Sequence, residues 1–339
     1  MALKQKDYIH LVDKMSLGTA TNELLSTNSN AENVVYLSDL KRLKLTADEL
    51  IASNLKQVSI PVSKQESEIL KSGQIDPDYG SQNEQNKKVL ELRKAIEQNR
   101  FILHYQPQYA MENNRVVGME ALLRMQSEAG KLIRPDLFIP VAEQSGLIIP
   151  IGNWVINEAC HQLARWQASD YQPVRMAINV SPIQLTDDAI IDVITQSVTD
   201  AGIKFSDLEL EITERTFIEN ITVSARVLNQ LSELGVRIAI DDFGTGYSAL
   251  SYLTQLPLDV IKIDQSFVPK TPSDGKACRV IKGIVNLAKS LNLQVVVEGI
   301  ETKLQQQFIA STGCEMGQGF GFSRPKDADQ IESFLMAVN

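Results

Sequence analysis

The chain has 339 residues, of which 43% are hydrophobic and 22% are charged. This composition is typical of a folded globular protein and excludes a mainly disordered chain. The formal net charge of −9 argues against binding to duplex nucleic acid, because such binding needs clustered positive charge. A small anionic substrate stays compatible with the charge, since bound divalent cations reverse the local field.

The cysteines and the start of the chain indicate the cellular compartment. Cys160, Cys278 and Cys314 are odd in number and widely spaced, so a disulfide framework is not expected. The start has no apolar run that would serve as a signal peptide, and no stretch approaches the ~20 apolar residues of a membrane-spanning helix. The sequence therefore predicts a cytoplasmic protein without a membrane span.

Residues 1–88 differ in composition from the rest, because they hold three tyrosines and no Phe, Trp or Cys. Apolar positions in 38–54 predict an amphipathic helix or two short ones. The polar stretch 74–88 contains Pro77 and Gly80 and predicts a linker. The segment is either a small helical adaptor, open to a regulatory partner or to dimerisation, or a partly ordered extension.

Residues 89–339 alternate short β-branched runs with helical patterns, which predicts a parallel sheet with crossover helices. Eight strands within about 250 residues fit an α/β fold, a closed (α/β)8 TIM-like barrel. The predicted strands are 102–107, 115–123, 175–180, 208–213, 236–241, 259–264, 294–298 and 315–319. The predicted helices are 135–168 in two pieces split near Pro150, 187–202, 220–234, 248–255, 276–291, 302–312 and 327–337.

The first two predicted strands depart from a regular barrel. Only 108–114 separates them, which is too short for a parallel crossover, so we expect an antiparallel hairpin. Glu112, Asn113 and Asn114 are residue types that suit its turn.

A polar or charged residue lies near the end of each predicted strand. In such a barrel the strand ends converge on one mouth, where chemistry is carried out. These residues are Gln106, Glu120, Asn179, Glu211, Asp241 with Asp242, Lys262, Glu298 and Gln318. Taken singly, each carboxylate is typical of a helix cap or a solvated loop. Together, the carboxylates raise one another's pKa values unless cations neutralise them.

The residue types in this set indicate the kind of metal. No Cys or His takes part, so oxygen ligation by Mg²⁺ or Mn²⁺ is favoured over zinc. The single Lys262 compensates only one of the negative charges. The pattern therefore predicts two metal ions per site.

Among the short local patterns, the adjacent pair Asp241 and Asp242 is the most specific indication of a metal site. Successive residues of a strand point to opposite faces, so we expect the strand to have ended where both reach one site. The sequence 243–248, FGTGYS, follows with two glycines. The alternative is a flexible surface loop, and the run lacks a complete G-x-G-x-x-G dinucleotide fingerprint.

Residues 89–339 contain a series of short motifs. Besides Glu120-Ala121-Leu122, these are Tyr105-Gln106-Pro107, Phe138-Ile139-Pro140, Asn179-Val180-Ser181, Glu211-Ile212-Thr213-Glu214, Asp241 to Ser248, Lys262-Ile263-Asp264, Glu298-Gly299-Ile300-Glu301 and Gln318-Gly319-Phe320. In kind and in order, these motifs resemble those of the EAL domain, the bacterial cyclic di-GMP phosphodiesterase. The chain departs from frequent family residues at Met125, Ala249 and Phe320.

The resemblance implies an (α/β)8-type barrel with an antiparallel first strand, in agreement with the predicted hairpin. It implies an enzyme of the bacterial cytoplasm that hydrolyses cyclic di-GMP to linear pGpG with Mg²⁺ or Mn²⁺ and is inhibited by Ca²⁺. It also implies a homodimer through residues 242–255.

The resemblance further assigns roles to single residues. One metal would be held by Glu120, Asn179, Glu211 and Asp241, and Asp241 would bridge to a second metal held with Asp242 and Glu298. Catalytic roles fall to Glu298, Lys262 and Asp242, with Lys262 holding the attacking water. Substrate contacts would come from Gln106, Glu120, Leu122, Arg124, Gln184 and Gln318. Glu214 resembles a carboxylate that anchors the loop 242–250.

Two other functions stay open on the sequence. One is a cyclic di-GMP receptor that keeps the catalytic residues but does not hydrolyse the ligand. The other, reached without the resemblance, is an enolase-type barrel in which Lys262 abstracts a proton and a metal holds the enolate.

Overall fold

The computed structural model describes most of the chain from Pro77 onward. The described ranges are 77–169, 175–186, 188–214, 216–245, 253 and 255–338, together with the strands β1, Leu3–Lys4, and β2, Val34–Val35. These two strands pair antiparallel. The chain divides into two compact units, Met1–Asp76 and Pro77–Asn339. The helix predicted within 38–54 lies outside the described residues.

Helix α1, Pro77–Glu97, includes most of the stretch that we predicted as a linker, so that prediction is wrong for 77–88. Proline suits the first position of a helix, because the N–H that it lacks would have no partner there. Pro77 therefore starts the helix and does not interrupt it. Leu92 and Ala95 are buried in the core, which holds the C-terminal half of α1 on the barrel.

Eight strands of the second unit form a closed barrel in the order β3-β11-β10-β9-β8-β7-β6-β4, with β4 paired back to β3. Their bounds are β3 Phe101–Ala110, β4 Val116–Gln126, β6 Arg175–Asn179, β7 Leu208–Thr213, β8 Arg237–Phe243, β9 Val260–Ile263, β10 Gln294–Val297 and β11 Met316–Gly317. A short strand that we did not predict, β5 Leu132–Ile133, pairs with the end of β4.

Strand β3 is antiparallel to both of its neighbours, β4 and β11, and the other barrel strands pair in parallel. The predicted barrel with an antiparallel first strand is therefore confirmed. In the turn between β3 and β4, Asn114 has a φ of 56°, a conformation that asparagine tolerates better than most residues. The side chain of Asn113 accepts a hydrogen bond from the Arg115 N–H at 3.0 Å.

The remaining helices surround the barrel. They are α2 Pro135–Gln144, α3 Ile148–Gln167, α4 Ala189–Ala201, α5 Thr216–Glu233, α6 Gly275–Ser290, α7 Lys303–Ser311 and α8 Ala328–Val338. The break between α2 and α3 falls at Gly146, whose φ is 73°, and not at Pro150. Pro150 lies in the first turn of α3, where proline is tolerated. The helix predicted at 248–255 lies largely outside the described residues.

Alternation along the strands divides the barrel interior into two layers. Ala239, Val260, Val296 and Met316 form a small buried apolar cluster. Each stands two residues before a predicted site residue and so faces the same side of its strand. The polar residues therefore form a layer above an apolar plug. Among the described helices, no helix has the length and apolar composition that a membrane crossing requires.

Candidate active site

Lys262 lies at the centre of the polar layer and is fully buried. Its Nζ is 2.7 Å from Glu211 Oε2 and 2.7 Å from Glu298 Oε1. The same atom is 3.2 Å from Asp241 Oδ1 and 3.6 Å from Glu120 Oε2. Four carboxyl groups from four strands thus share one ammonium group, which leaves an excess of negative charge in a buried place.

Three amide side chains complete this layer around Glu120. Asn179 Nδ2 donates to Glu120 Oε1 at 2.8 Å, and Gln318 Nε2 donates to Glu120 Oε2 at 2.6 Å. Gln318 Nε2 also donates to Gln106 Oε1 at 3.0 Å. Gln106 and Glu120 pair with each other near the middle of β3 and β4, and not at strand ends as predicted, because this long hairpin continues beyond the mouth.

A bulge in β8 brings Asp241 and Asp242 to the same site. The prediction that the strand ends at this pair is wrong, since β8 continues to Phe243. Asp242 has a φ of 54°, and the pairing of β8 with β9 shifts register between Ile240 and Phe243. A bulge interrupts the alternation of side chains. Carboxylate oxygens of Asp241, Asp242 and Glu298 consequently lie within 4.8 Å of one another.

The pKa values of three of these carboxyl groups are raised because the groups are buried close to one another. Burial, with repulsion by Glu120, raises the pKa of Glu211 well above its ordinary value. Burial also raises the pKa of Glu298 to about 8, because repulsion by Asp241 and Glu120 offsets the attraction of Lys262. The pKa of Asp242 rises to about 6 through burial and the nearby Asp241. Protons or cations must therefore balance this cluster.

The pKa values of Glu120 and Lys262, in contrast, shift so that the charged form of each side chain is favoured. Burial would raise the pKa of Glu120, but Lys262 and the amides of Gln318 and Asn179 lower it. Burial would lower the pKa of Lys262, but the surrounding carboxylates raise it well above its ordinary value. In the metal-free site the carboxylates thus favour the charged form of Lys262, which argues against the neutral base that an enolase-type reaction needs.

The residues present fit divalent metal ions. Glu211 Oε1 is buried and accepts no hydrogen bond from the described residues. Buried acceptors without a donor are costly, and oxygen ligands of this kind are those that Mg²⁺ and Mn²⁺ prefer. The cluster of Asp241, Asp242 and Glu298 can hold one such ion.

A cavity of about 280 Å³ lies beside the polar layer, between β4, β6 and α3. Of the predicted substrate contacts, Leu122, Arg124 and Gln184 line it, together with Asn179. Its walls are largely apolar, as in many small-molecule sites. Arg124 Nη1 donates to the Leu123 carbonyl at 2.8 Å, which fixes the guanidinium at the cavity.

Two contacts within this wall hold the side chain of Gln184 in place. Its Oε1 accepts a hydrogen bond from the Ser181 N–H at 3.1 Å, and its amide packs directly against Gly152 of α3. Ser181 Oγ donates to Glu143 Oε1 at 2.7 Å. The sequence analysis assigned no role to Ser181, which it named only within the Asn179-Val180-Ser181 block. It did not name Glu143, which stands three residues after the Phe138-Ile139-Pro140 block.

Glu214 contacts the loop that it was predicted to anchor, because its Oε1 accepts a hydrogen bond from the Gly244 N–H at 2.9 Å. Residues 246–250 of that loop, and most of the predicted dimer region, lie outside the described residues. The sequence analysis also missed Asp264, which contributes to the raised pKa of Asp242. Asp264 stands two residues after Lys262, so strand alternation was the signal that could have found it.

Comparisons with known proteins place this site in a family. A family model of the EAL domain matches residues 89–325. The signaling protein YkoW of Bacillus subtilis is 42% identical over 245 residues, which are 72% of this chain and 30% of that protein. The bifunctional diguanylate cyclase/cyclic di-GMP phosphodiesterase MucR of Pseudomonas aeruginosa is 40% identical over 248 residues, 73% of this chain and 36% of that protein. The chain spans about a third of the length of these curated relatives.

A solved structure agrees with these sequence matches. The MucR phosphodiesterase in complex with c-di-GMP has a TM-score of 0.69 and 40% sequence identity, and the match covers 72% of this chain and 99% of that one. The family match includes every predicted site residue from Gln106 to Gln318. The chain therefore belongs to the EAL domain family.

Proposed function

We propose that this chain is a metal-dependent phosphodiesterase that hydrolyses cyclic di-GMP to linear pGpG. The observation that carries the proposal is the set of four carboxyl groups around the buried Lys262, beside a largely apolar cavity. The similar MucR is named a cyclic di-GMP phosphodiesterase and was solved with that ligand.

We assign two ions, Mg²⁺ or Mn²⁺, to the polar layer. Ligands of the first are Glu120, Asn179, Glu211 and Asp241, and ligands of the second are Asp241, Asp242 and Glu298. Such ions, when bound, lower the pKa of water and neutralise charge that develops on phosphoryl oxygens.

The protein's own groups orient and deprotonate the attacking water. Lys262 keeps its ammonium charge among the carboxylates and can donate a hydrogen bond to that water. Glu298 is the carboxylate that we assign as the base for that water, since its oxygens lie in the same cluster as those of Asp241 and Asp242. Arg124 presents a planar set of donors that matches phosphate oxygens. Gln318 donates to both Glu120 and Gln106, and we assign Gln106 and Gln318 to contacts with the substrate.

We assign the cavity to one guanine base of the substrate. Leu122 and the α3 residues Ile151 and Val155 supply apolar walls, and Glu143 and Gln184 supply polar groups. The carboxylate of Glu143 can accept from the N–H groups on the edge of guanine, whereas adenine offers an acceptor at the matching position.

The wider assignments extend the same proposal. Residues 89–339 form the catalytic domain, and residues 1–88 act as an N-terminal extension or adaptor that receives a regulatory partner. We place the enzyme in the bacterial cytoplasm as a homodimer formed through residues 242–255. Light scattering over a range of protein concentrations tests the dimer.

A turnover assay tests the main proposal. Purified protein is incubated with cyclic di-GMP and either Mg²⁺ or Mn²⁺, and the products are separated by chromatography. We expect pGpG in the presence of metal and none after chelation. Tight binding without pGpG would overturn the enzyme assignment in favour of the receptor.

A further inference from the structure

Phe320 stands out on the rim of the barrel. It follows Gln318 by two residues at the carboxyl end of β11, and 49% of its surface is exposed. Among the described residues, it is the single aromatic member of the large exposed hydrophobic side chains. Exposed aromatic rings on a rigid backbone are favoured elements of binding sites, because they offer much contact area at low entropic cost.

Arg324 covers one face of the Phe320 ring. The guanidinium carbon lies 4.2 Å from the ring centroid, which is the geometry of a cation–π contact. Arg324 itself is exposed. The ring therefore has one face in contact with a cation, while about half of the residue's surface stays exposed to solvent.

The loop that carries this pair is fixed by backbone contacts. The N–H of Gly321 donates to the Ile300 carbonyl at 2.8 Å, and a Cβ at Gly321 would lie 2.8 Å from the Glu301 carbonyl, so the two backbones are in close contact. Lys326 exchanges two backbone hydrogen bonds with Tyr105 of β3, at 2.7 and 3.0 Å. A ligand on Phe320 would pay little entropy to order this loop.

The same loop is joined to the active site. Gln106 Nε2 donates to the Ser323 carbonyl at 3.0 Å, and Gln106 Oε1 accepts from Gln318. The segment that carries Phe320 is thus connected to Glu120 through hydrogen bonds of Gln106 and Gln318. It belongs to the β11 sector of the rim, which β3 separates from the guanine cavity beside β4.

We propose that the Phe320–Arg324 pair stacks the second purine base of the dinucleotide substrate. This inference rests on the proposed function, because the substrate then carries two bases and the cavity beside Arg124 takes one. Nucleobases stack on aromatic side chains and on guanidinium groups. Stacking tolerates any base, so the pair contributes affinity, and the cavity contributes base selection.

Kinetics of three variants test the pair. Phe320→Ala should raise the KM for cyclic di-GMP about fivefold to tenfold, the lower range for loss of one stacked base, and leave kcat within about twofold. Phe320→Tyr should keep the parental KM, since it keeps the ring. The matched control is Leu234→Ala, which removes a 40% exposed apolar side chain at the opposite, amino end of β8.

A binding signal separates this inference from the proposed function. Phe320→Trp should show a change in tryptophan emission on stopped-flow mixing with cyclic di-GMP, before a turnover is completed and relative to the parental protein. Unchanged emission at saturating ligand, with a parental KM for Phe320→Ala, would overturn the stacking site while turnover stands. An emission change without pGpG would support the stacking site and overturn the phosphodiesterase.

Discussion

At the scale of single residues, the charge balance of the site depends on a single ammonium group, that of Lys262. Lys262 is buried among four carboxyl groups, and a surplus of negative charge remains after it is counted. The raised pKa values of Glu211, Glu298 and Asp242 have the same origin. The residues that we assign to the metal ions and the residue that we assign to proton exchange are thus parts of one electrostatic unit.

Glu298→Gln should separate chemistry from binding. The amide keeps the size of the side chain but cannot accept a proton, so we expect kcat to fall about 100-fold or more. The Kd for cyclic di-GMP, measured by calorimetry, should change far less. Glu301→Gln is the matched control, because it alters an exposed carboxylate in the same motif. An unchanged kcat in Glu298→Gln would exclude this residue from the chemistry.

Lys262→Met should destabilise the metal-free protein. Removing one partner of a buried ion pair leaves uncompensated charge, which costs about 3–5 kcal/mol. Urea unfolding in the presence of a chelator measures this loss, and Mg²⁺ should restore part of it by neutralising the carboxylates. Lys276→Met changes an exposed lysine and should leave the unfolding free energy within about 0.5 kcal/mol. Equal stabilities for the two variants would contradict the electrostatic account.

At the scale of elements, helix α3 and the 3-10 turn Pro182–Thr186 position the cavity wall together. Gly152 lies where a Cβ would collide with the Gln184 amide. Close approach of the helix is what fixes Gln184 in its hydrogen bond with Ser181. The cavity therefore depends on a glycine outside the motifs that resemble the family.

Gly152→Ala should destabilise the fold and disturb substrate binding. Overpacking a tight contact costs about 1–3 kcal/mol, and displacement of Gln184 should raise KM. Gly283→Ala is the matched control, since that helical glycine in α6 has open space where the Cβ would be. The control should gain about 0.4–1 kcal/mol. Urea unfolding compares the two, and a Gly152→Ala variant as stable as its control would argue against the contact.

The sequence predicted the elements of the barrel better than its local irregularities. The convergence of strand ends on one mouth brought Glu211, Lys262 and Glu298 together. The short 108–114 connection predicted the antiparallel hairpin, because it leaves no room for a parallel crossover. The bulge at Asp242 needed a positive φ at a non-glycine residue, which no residue pattern indicates. Helix α1 was missed because Pro77 was interpreted as a break when it is a start.

At the scale of the whole molecule, the proposed cations reconcile the net charge of −9 with the anionic substrate that we propose. The apolar layer of Ala239, Val260, Val296 and Met316 closes the barrel below the carboxylates. Water therefore reaches the polar layer from the mouth, where the proposed substrate would enter. Metal ions bound there would reverse the sign of the local field for an approaching phosphate.

Metal affinity should consequently depend on pH. Without metal, Glu298 has a pKa of about 8 and Asp242 a pKa of about 6, and both must lose their protons to become ligands. Below these values the protonated form predominates, so affinity for Mn²⁺ should rise as pH increases from about 6 to about 8. Because a ligand of the native state stabilises it more as its Kd falls, the rise in Tm that Mn²⁺ produces should grow over the same interval.

Differential scanning fluorimetry with and without Mn²⁺ across that range measures the effect. The double variant Glu298→Gln with Asp242→Asn removes both titrating groups but keeps the size of each side chain, and asparagine tolerates the positive φ at position 242. Its metal-dependent rise in Tm should be smaller and nearly independent of pH. A parental protein whose Tm rises equally at pH 6 and pH 8 would show that these carboxyl groups do not release protons to the metal, and the ligand assignment for the second ion would fail.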